Sequence, residues 1–68
     1  MSANKLKGLI VENGENVEKL ANSIGISTGS LYRKISGKTE FTLNEIHAIT
    51  DHYNLTPDRM IDVFFTQK

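Results

Sequence analysis

The stretch NVEKLANSIGISTGSLYRKISGK, residues 16–38, contains two short amphipathic segments with a glycine between them. In the first segment the apolar residues recur at i, i+3, i+4 and i+7, which is the spacing of one buried face of an α-helix. These residues are Val17, Leu20, Ala21 and Ile24. Asn16 is a favourable N-cap for this helix, and Gly25 is a typical C-terminal stop. The pattern therefore predicts a helix that begins after Asn16 and ends at Ile24.

A second, shorter helix is predicted directly after the first. Ser27 is suited to cap it, Leu31 and Ile35 lie four residues apart on its inner face, and it ends near Ser36-Gly37. Gly25 can reverse the chain between the two helices because glycine adopts a positive φ without steric cost. This arrangement predicts a helix-turn-helix, in which the second helix presents its N-terminal residues to the major groove of DNA.

Three further helices are predicted from apolar stripes and end signals. Their apolar positions are Leu6, Leu9 and Ile10 in the first helix of the chain, Ile46, Ile49 and Tyr53 in the fourth, and Met60, Ile61 and Phe64 in the fifth. The segment 42–45 has the spacing of a capping box, with Phe41 and Ile46 placed as a hydrophobic staple. Thr56-Pro57-Asp58 supplies a cap, a proline and an acid for the last helix. Since no segment alternates like a strand, residues 1–68 are expected to form a single all-α domain.

The chain has no net charge, but its basic and acidic side chains are separated along the sequence. Residues 1–38 carry six basic and three acidic side chains, a net charge of +3. Residues 39–68 carry two basic and five acidic side chains, a net charge of −3. Between Glu18 and Glu40 every side chain that is charged at neutral pH is basic. Such a segment is either a surface for a polyanion or ordinary solvated surface.

In these features the chain resembles the Cro/repressor-type helix-turn-helix domains of temperate bacteriophages, over nearly its whole length. The residues that carry the resemblance are Leu20-Ala21, Gly25-Ile26, Leu31, Ser36-Gly37-Lys38, Leu43 with Ile46, and Leu55-Thr56. The resemblance implies a compact five-helix lambda-repressor-like domain that binds operators in double-stranded DNA, usually as a homodimer. It implies no cofactor.

The resemblance also implies, position by position, which residues face DNA. The positions that match base-reading sites are Thr28, Gly29, Tyr32 and Arg33. The positions that match phosphate-contacting sites are Asn16, Ser30, Lys34 and Lys38. Three residues depart from the family pattern. Val17 replaces a glutamine that often contacts the DNA backbone, Lys34 replaces a common aliphatic residue, and Gly29 replaces a side chain that often reads a base.

Each candidate has an alternative role. Arg33 either makes a bidentate contact to guanine O6 and N7 or is a solubilising surface arginine. Tyr32 either contacts a thymine methyl group or a phosphate, or covers the edge of the core. Gly29 permits either close approach of the backbone to DNA or local flexibility. The hydroxyl groups of Thr28 and Ser30 also suit helix caps.

Other functional classes have little support in the sequence. The absence of cysteine excludes disulfides and thiolate metal sites, and no apolar run approaches the ~18 residues of a membrane span. His47 and Asp51 are four residues apart with His52 adjacent, but no third convergent ligand is evident, so no metal site is expected. No catalytic grouping or glycine-rich phosphate loop is present, so enzymatic activity is not expected. A cytoplasmic location is the natural reading.

Phe64 and Phe65 are candidates for self-association. Adjacent residues on a helix point about 100° apart, so both rings are not expected to be buried in one monomer. One ring is expected to join the core with Ile61. The other, beside Val63, forms either an association surface or peripheral core packing. Such an interface would lie on the acidic half of the molecule, away from DNA.

The sequence therefore supports two functional hypotheses, and a third reading is a structural helical domain without a nucleic-acid role. The first is a Cro-like repressor that occupies a phage operator, an approximate inverted repeat, as a homodimer. The alternative is an antirepressor or interaction module of the same fold that binds a phage repressor protein. The pI of about 6.7, which is low for a DNA-binding domain, favours the alternative.

Overall fold

Five α-helices joined by short turns form the part of the chain that the computed structural model describes, residues 3–65. They are α1 (Ala3–Glu12), α2 (Val17–Ile24), α3 (Thr28–Ile35), α4 (Leu43–His52) and α5 (Pro57–Phe64). Within residues 3–65 no segment forms a β-strand. The number, order and positions of the helices predicted from the sequence are confirmed, and the fold is all-α.

The five helices bury one shared core. Each helix contributes at least two side chains that are no more than 8% exposed. These side chains are Leu6, Leu9, Ile10, Leu20, Ala21, Leu31, Ile35, Ile46, Ile49, Val63 and Phe64. Helix α2 packs against α1, α3 and α4, while α5 packs against α1. Because α2 lies among three other helices, packing fixes the orientation of α3 relative to the rest of the domain.

Side-chain caps fix the positions at which four helices begin. The N-cap residues are Asn16, Ser27, Thr42 and Thr56, and each accepts a hydrogen bond from the backbone N–H three residues later. Thr42 and Glu45 form the predicted capping box. The Glu45 N–H donates to Thr42 Oγ1 at 3.1 Å, and the Thr42 N–H donates to Glu45 Oε1 at 2.8 Å. Each N-cap typically contributes about 1 kcal/mol to stability.

One prediction about the apolar faces of the helices is wrong. Ile61 was expected in the core but is 48% exposed, whereas Val63 is 1% exposed. The buried stripe of α5 runs through Met60, Val63 and Phe64, at i, i+3 and i+4, and Ile61 lies about 100° from Met60, outside this stripe. Leu43, at the first position of α4, is 66% exposed, although it is one of the residues that carry the family resemblance.

The two adjacent phenylalanines lie in different environments. Phe64 is 5% exposed and meets Phe41 edge to face, with 5.5 Å between the ring centroids. Such aromatic pairs stabilise a core beyond their buried area. Phe65 is 56% exposed. Phe64 is therefore a core residue and is not accessible for the self-association predicted for it, whereas Phe65 remains a candidate.

Two ion pairs join the ends of the chain. Lys5 Nζ lies 2.6 Å from Asp62 Oδ1, and Arg59 Nη2 lies 2.9 Å from Glu12 Oε1. All four side chains are partly or largely exposed, so solvent screens both pairs and they add little to stability. The two pairs neutralise Lys5 of α1 and Arg59 of α5 at the contact between these helices.

Candidate nucleic-acid interface

Helices α2 and α3 form the predicted helix-turn-helix. Gly25 ends α2 with a φ of 81°, and the next N–H, of Ile26, donates to the carbonyl oxygen of Ala21 at 3.0 Å. This bond closes the end of α2 as in a Schellman motif, which requires a left-handed residue at the glycine position. Ala21 is fully buried, so the small side chain lies where the helices approach closely. The sharp turn that sets the angle between α2 and α3 thus follows from a glycine and an alanine.

The base-reading candidates lie on the N-terminal and central turns of α3. Tyr32 and Arg33 are exposed. Gly29, nearer the N-terminus of α3, is also exposed, and Thr28 is half-buried. Thr28 and Tyr32 are four residues apart, as are Gly29 and Arg33, so the four positions form two neighbouring rows on one side of the helix. The structure brings these four residues together on a solvent-facing surface.

The candidate phosphate contacts do not share one environment. Asn16 lies at the exposed N-terminus of α2, where its Oδ1 accepts a hydrogen bond from the Lys19 N–H at 2.8 Å. Lys38 follows Gly37, which ends α3 with a φ of 86°, and the Lys38 N–H donates to the carbonyl oxygen of Arg33 at 2.9 Å. The backbone of Lys38 is therefore fixed to the last turn of α3, while its side chain is exposed.

Lys34 is oriented differently from the phosphate contact predicted for it. Its Nζ lies 3.0 Å from Glu45 Oε1 and donates to the carbonyl oxygen of Glu40 at 3.1 Å. Only 13% of the Lys34 side chain and 17% of the Glu45 side chain is exposed. No local pattern in the sequence indicates that a carboxylate from the next helix neutralises this cation. Lys34 therefore joins α3 to α4 and does not extend toward the exposed face of α3.

The unpaired basic groups all belong to the first three helices and the turn that follows them. Among residues 3–65 the basic side chains without an ion pair are Lys7, Lys19, Arg33 and Lys38. The cation of α5, Arg59, is paired with Glu12. Ion pairing thus neutralises Lys5, Lys34 and Arg59, and the basic side chains that remain in the described chain all lie on α1–α3 and the turn after α3.

Lys7 is a candidate that the sequence analysis did not identify. It lines a shallow recess of about 310 Å³ with Asn16 and Tyr32, and the other lining residues are Ile10, Val11, Glu15 and Val17. The recess lies where α1, the start of α2 and the middle of α3 meet. Lys7 and Val11 are four residues apart on α1 and both are exposed, so helical spacing is the one signal in the sequence that they share a row.

A polar cluster fixes the turn between α1 and α2. Glu15 Oε1 accepts a hydrogen bond from the Tyr53 hydroxyl at 2.9 Å and lies 3.0 Å from His52 Nε2. The hydrogen bond with His52 lowers the pKa of Glu15, although burial opposes this shift. Burial, together with the Glu15 carboxylate, raises the pKa of Tyr53. Because Asn16 directly follows Glu15, the cluster also fixes the N-terminus of α2.

Phe65 lies beside the basic segment rather than apart from it. It lines a recess of about 410 Å³ whose apolar floor is formed by Phe41, Ile46 and Phe64. Residues 34–37, from the C-terminal end of α3, form another wall of the same recess. A self-association surface at Phe65 would therefore adjoin the C-terminal end of α3, closer to the basic segment than the sequence suggests.

The described part of the chain, residues 3–65, contains neither a metal-binding cluster nor a membrane-spanning helix. Within it, no three histidine, aspartate or glutamate side chains lie close enough to hold a metal ion. Among its helices, none has the length and apolar character needed to cross a membrane.

The comparison with protein families agrees with this geometry. The model of the Cro/C1-type HTH DNA-binding domain matches residues 5–63, which include all of α2, α3 and α4. No curated protein and no solved structure matches the chain significantly. The match covers most of the chain and coincides with the five-helix fold around the helix-turn-helix. The protein therefore belongs to the Cro/C1-type helix-turn-helix family, whose domains bind double-stranded DNA.

Proposed function

We propose that the protein is a transcriptional regulator that recognises a specific operator by placing α3 in the major groove. The observation that carries this proposal is the coincidence of two features. The exposed side of α3 bears polar and aromatic side chains, and the unpaired cations of the described chain all lie on α1–α3 and the turn after α3. Phosphate contacts position a protein on DNA, whereas side chains on base edges determine sequence preference.

In this proposal the residues have different roles. Arg33 makes a bidentate contact to a guanine, the commonest specific contact of arginine in the major groove. Tyr32 contacts a thymine methyl group or a neighbouring phosphate, and Gly29 and Thr28 allow the first turn of α3 to approach the bases. The phosphate contacts come from Lys38 and from two residues of the 310 Å³ recess, Asn16 and Lys7. Lys34 is not among the proposed phosphate contacts because Glu45 neutralises its charge.

The protein is further proposed to act in the bacterial cytoplasm as a Cro-like repressor of a temperate phage, which blocks transcription by occupying its operator. The resemblance of the sequence to Cro/repressor-type phage domains supports this extension. The protein is proposed to bind as a homodimer through Phe65 and its recess. Since the recess adjoins the C-terminal end of α3, a second copy there would bring the two α3 helices close together. Half-sites about 10 bp apart in an inverted repeat would then be contacted simultaneously.

The proposal is tested by selecting binding sites from random duplex DNA with the full chain and then measuring affinity against salt concentration. The expected result is an approximate inverted repeat that is bound about a thousandfold or more tightly than random DNA, with a steep salt dependence. A weak, sequence-independent affinity with a shallow salt slope would contradict it. That result would favour the antirepressor hypothesis, which is then tested by binding to a phage repressor protein.

A further inference from the structure

A chain of hydrogen bonds runs along the exposed first turns of α3. The Ser30 N–H donates to Ser27 Oγ at 3.1 Å, and the Ser27 hydroxyl donates to Ser30 Oγ at 3.0 Å. Arg33 Nη2 donates to the same Ser30 Oγ at 3.2 Å. Ser30 Oγ thus accepts two hydrogen bonds, one from the N-cap residue and one from the guanidinium group. The cap of α3 is thereby connected directly to its candidate base-reading side chain.

The Arg33 guanidinium group lies over Gly29, which has no side chain. A Cβ atom at Gly29 would lie 3.7 Å from Arg33 Nη1. The Arg33 side chain therefore runs back along α3 toward its N-terminus, which is the general direction of helical side chains. This is also the end of α3 that a helix-turn-helix presents to base edges. The guanidinium group has five N–H donors, and the bond to Ser30 uses one, so enough remain for a bidentate contact to guanine.

We infer that Ser30 is a positioning residue for Arg33 and contributes to base discrimination without contacting DNA itself. This inference rests on the proposed function, because it requires Arg33 to read a base. An arginine side chain loses much rotational freedom when it is fixed in one geometry. A hydrogen bond that holds it near the bound geometry before association reduces this loss, which is the general benefit of preorganisation.

The inference gives Ser30 a role different from the phosphate contact expected from the sequence. A phosphate contact would strengthen binding to every DNA sequence equally, whether or not Arg33 is present. A positioning role instead affects only the base pair that Arg33 reads, and it disappears when Arg33 is removed. The two roles are therefore separable by a double-mutant cycle.

The experiment measures binding of the full chain to its selected operator, to the operator with the Arg33-read base pair replaced, and to random DNA. The variants are Ser30→Ala, Ser30→Thr, Arg33→Ala and the double variant Ser30→Ala/Arg33→Ala. Ser30→Ala is expected to reduce discrimination at that base pair about three- to tenfold, the range of one hydrogen bond, without weakening binding to random DNA. Ser30→Thr keeps the hydroxyl group and is expected to retain discrimination. In the Arg33→Ala background, Ser30→Ala is expected to change nothing further.

An equal loss on all sequences, of the same size with and without Arg33, would overturn the inference and restore the phosphate contact. Unchanged discrimination in Ser30→Ala, with a wild-type protein that does prefer its operator, would also overturn it while leaving the proposed function intact. A wild-type protein without any sequence preference would instead contradict the proposed function. The positioning itself is then tested without DNA, by NMR order parameters of the Arg33 side chain. These should fall in Ser30→Ala relative to wild type, and equal values would contradict the inference.

Discussion

Lys34 and Glu45 connect the end of α3 to the start of α4, with 3.0 Å between the ammonium and carboxylate groups. The same Glu45 Oε1 accepts the hydrogen bond from the Thr42 N–H that completes the capping box. One carboxylate therefore fixes both the start of α4 and the end of α3. Since both side chains are more than four-fifths covered, the pair is shielded from solvent more than an ordinary surface ion pair.

Replacing Lys34 with methionine should lower stability without changing the electrostatics of DNA binding. Methionine retains an apolar stem but leaves the Glu45 carboxylate without its cation. We expect the free energy of unfolding, measured by urea denaturation, to fall by about 1–3 kcal/mol. The dependence of DNA affinity on salt should stay the same, because Lys34 contacts no phosphate in our account.

Lys38→Met is the matched control for this experiment. Its side chain is exposed and unpaired among the described residues, so stability should change by less than about 0.5 kcal/mol. The magnitude of the salt slope should fall by about 1 for each subunit bound. If Lys34→Met instead lowers the salt slope and leaves stability unchanged, Lys34 is a phosphate contact after all.

Acid should destabilise the domain through three carboxylates. Partners lower the pKa values of Glu12, Glu15 and Glu45 below the usual 4.5. For Glu45, burial acts in the opposite direction but is outweighed by hydrogen bonds from the Thr42 N–H and from Lys34. A lowered pKa in the folded state means that stability is present above about pH 4.5 and is lost as the pH falls below it.

We therefore expect Tm to be nearly constant between about pH 6 and 9 and to fall below about pH 4.5. At the other extreme, the raised pKa of Tyr53 means that stability falls as the pH rises above about 10. Calorimetry across this range measures both limits. Glu45→Gln should make the fall of Tm below about pH 4.5 less steep, whereas Glu18→Gln, at an exposed position, should leave this fall unchanged. The same fall of Tm in wild type and Glu45→Gln would contradict the role given to the Lys34–Glu45 pair.

Two glycines of the helix-turn-helix should respond to alanine with opposite signs. Gly25 has a φ of 81°, so Gly25→Ala should destabilise the domain by about 1–2 kcal/mol. Gly29 lies within α3, and a Cβ atom there would make only an ordinary 3.7 Å contact with Arg33. Gly29→Ala should therefore stabilise the domain by up to about 1 kcal/mol. Urea denaturation of the two variants measures both changes in the free energy of unfolding. Changes of the same sign would contradict either the left-handed conformation of Gly25 or the helical position of Gly29.

Substitutions of the two adjacent phenylalanines should have separate effects, one on folding and the other on self-association. Phe64→Ala removes a core ring that packs on Phe41 and should cost about 3–5 kcal/mol in the free energy of unfolding. Phe65→Ser should leave the monomer's stability within about 0.5 kcal/mol of wild type, because the ring is 56% exposed. It should weaken binding to a full operator more than binding to an isolated half-site, as measured by gel shift and analytical ultracentrifugation. An equal effect on both sites would remove Phe65 from the dimer interface.

The parts of the structure that were predictable from the sequence are those set by local chemistry. The caps at Ser27 and Thr42 and the stop at Gly25 each depend on interactions within a few residues, so the helix boundaries follow directly from the sequence. The environments that were not predictable depend on contacts between distant segments. The local sequence indicates an unpaired cation at Lys34, whereas in the folded protein Glu45 of α4 lies 3.0 Å away and neutralises it.

The same distinction holds for the candidate site. The exposed row of α3 follows from helical periodicity, so the exposure of Tyr32 and Arg33 was predictable, while their roles in base reading stay predictions. Lys7 was missed because its proximity to Asn16 depends on how α1 packs across the start of α2. In α5, Val63 and Ile61 have similar apolar character, and only the packing of the whole domain determines which of them is buried.

We claim above all that α3 reads bases through Arg33, and the most direct test is a matrix of binding affinities over the selected operator. Affinities of the wild type and Arg33→Ala are measured for every single base-pair substitution in one half-site. Arg33→Ala should lose about 1–3 kcal/mol on the preferred operator and lose discrimination at one G·C pair in each half-site, while preferences elsewhere persist. An Arg33→Ala protein with the same base preferences as wild type at every position would contradict the claim.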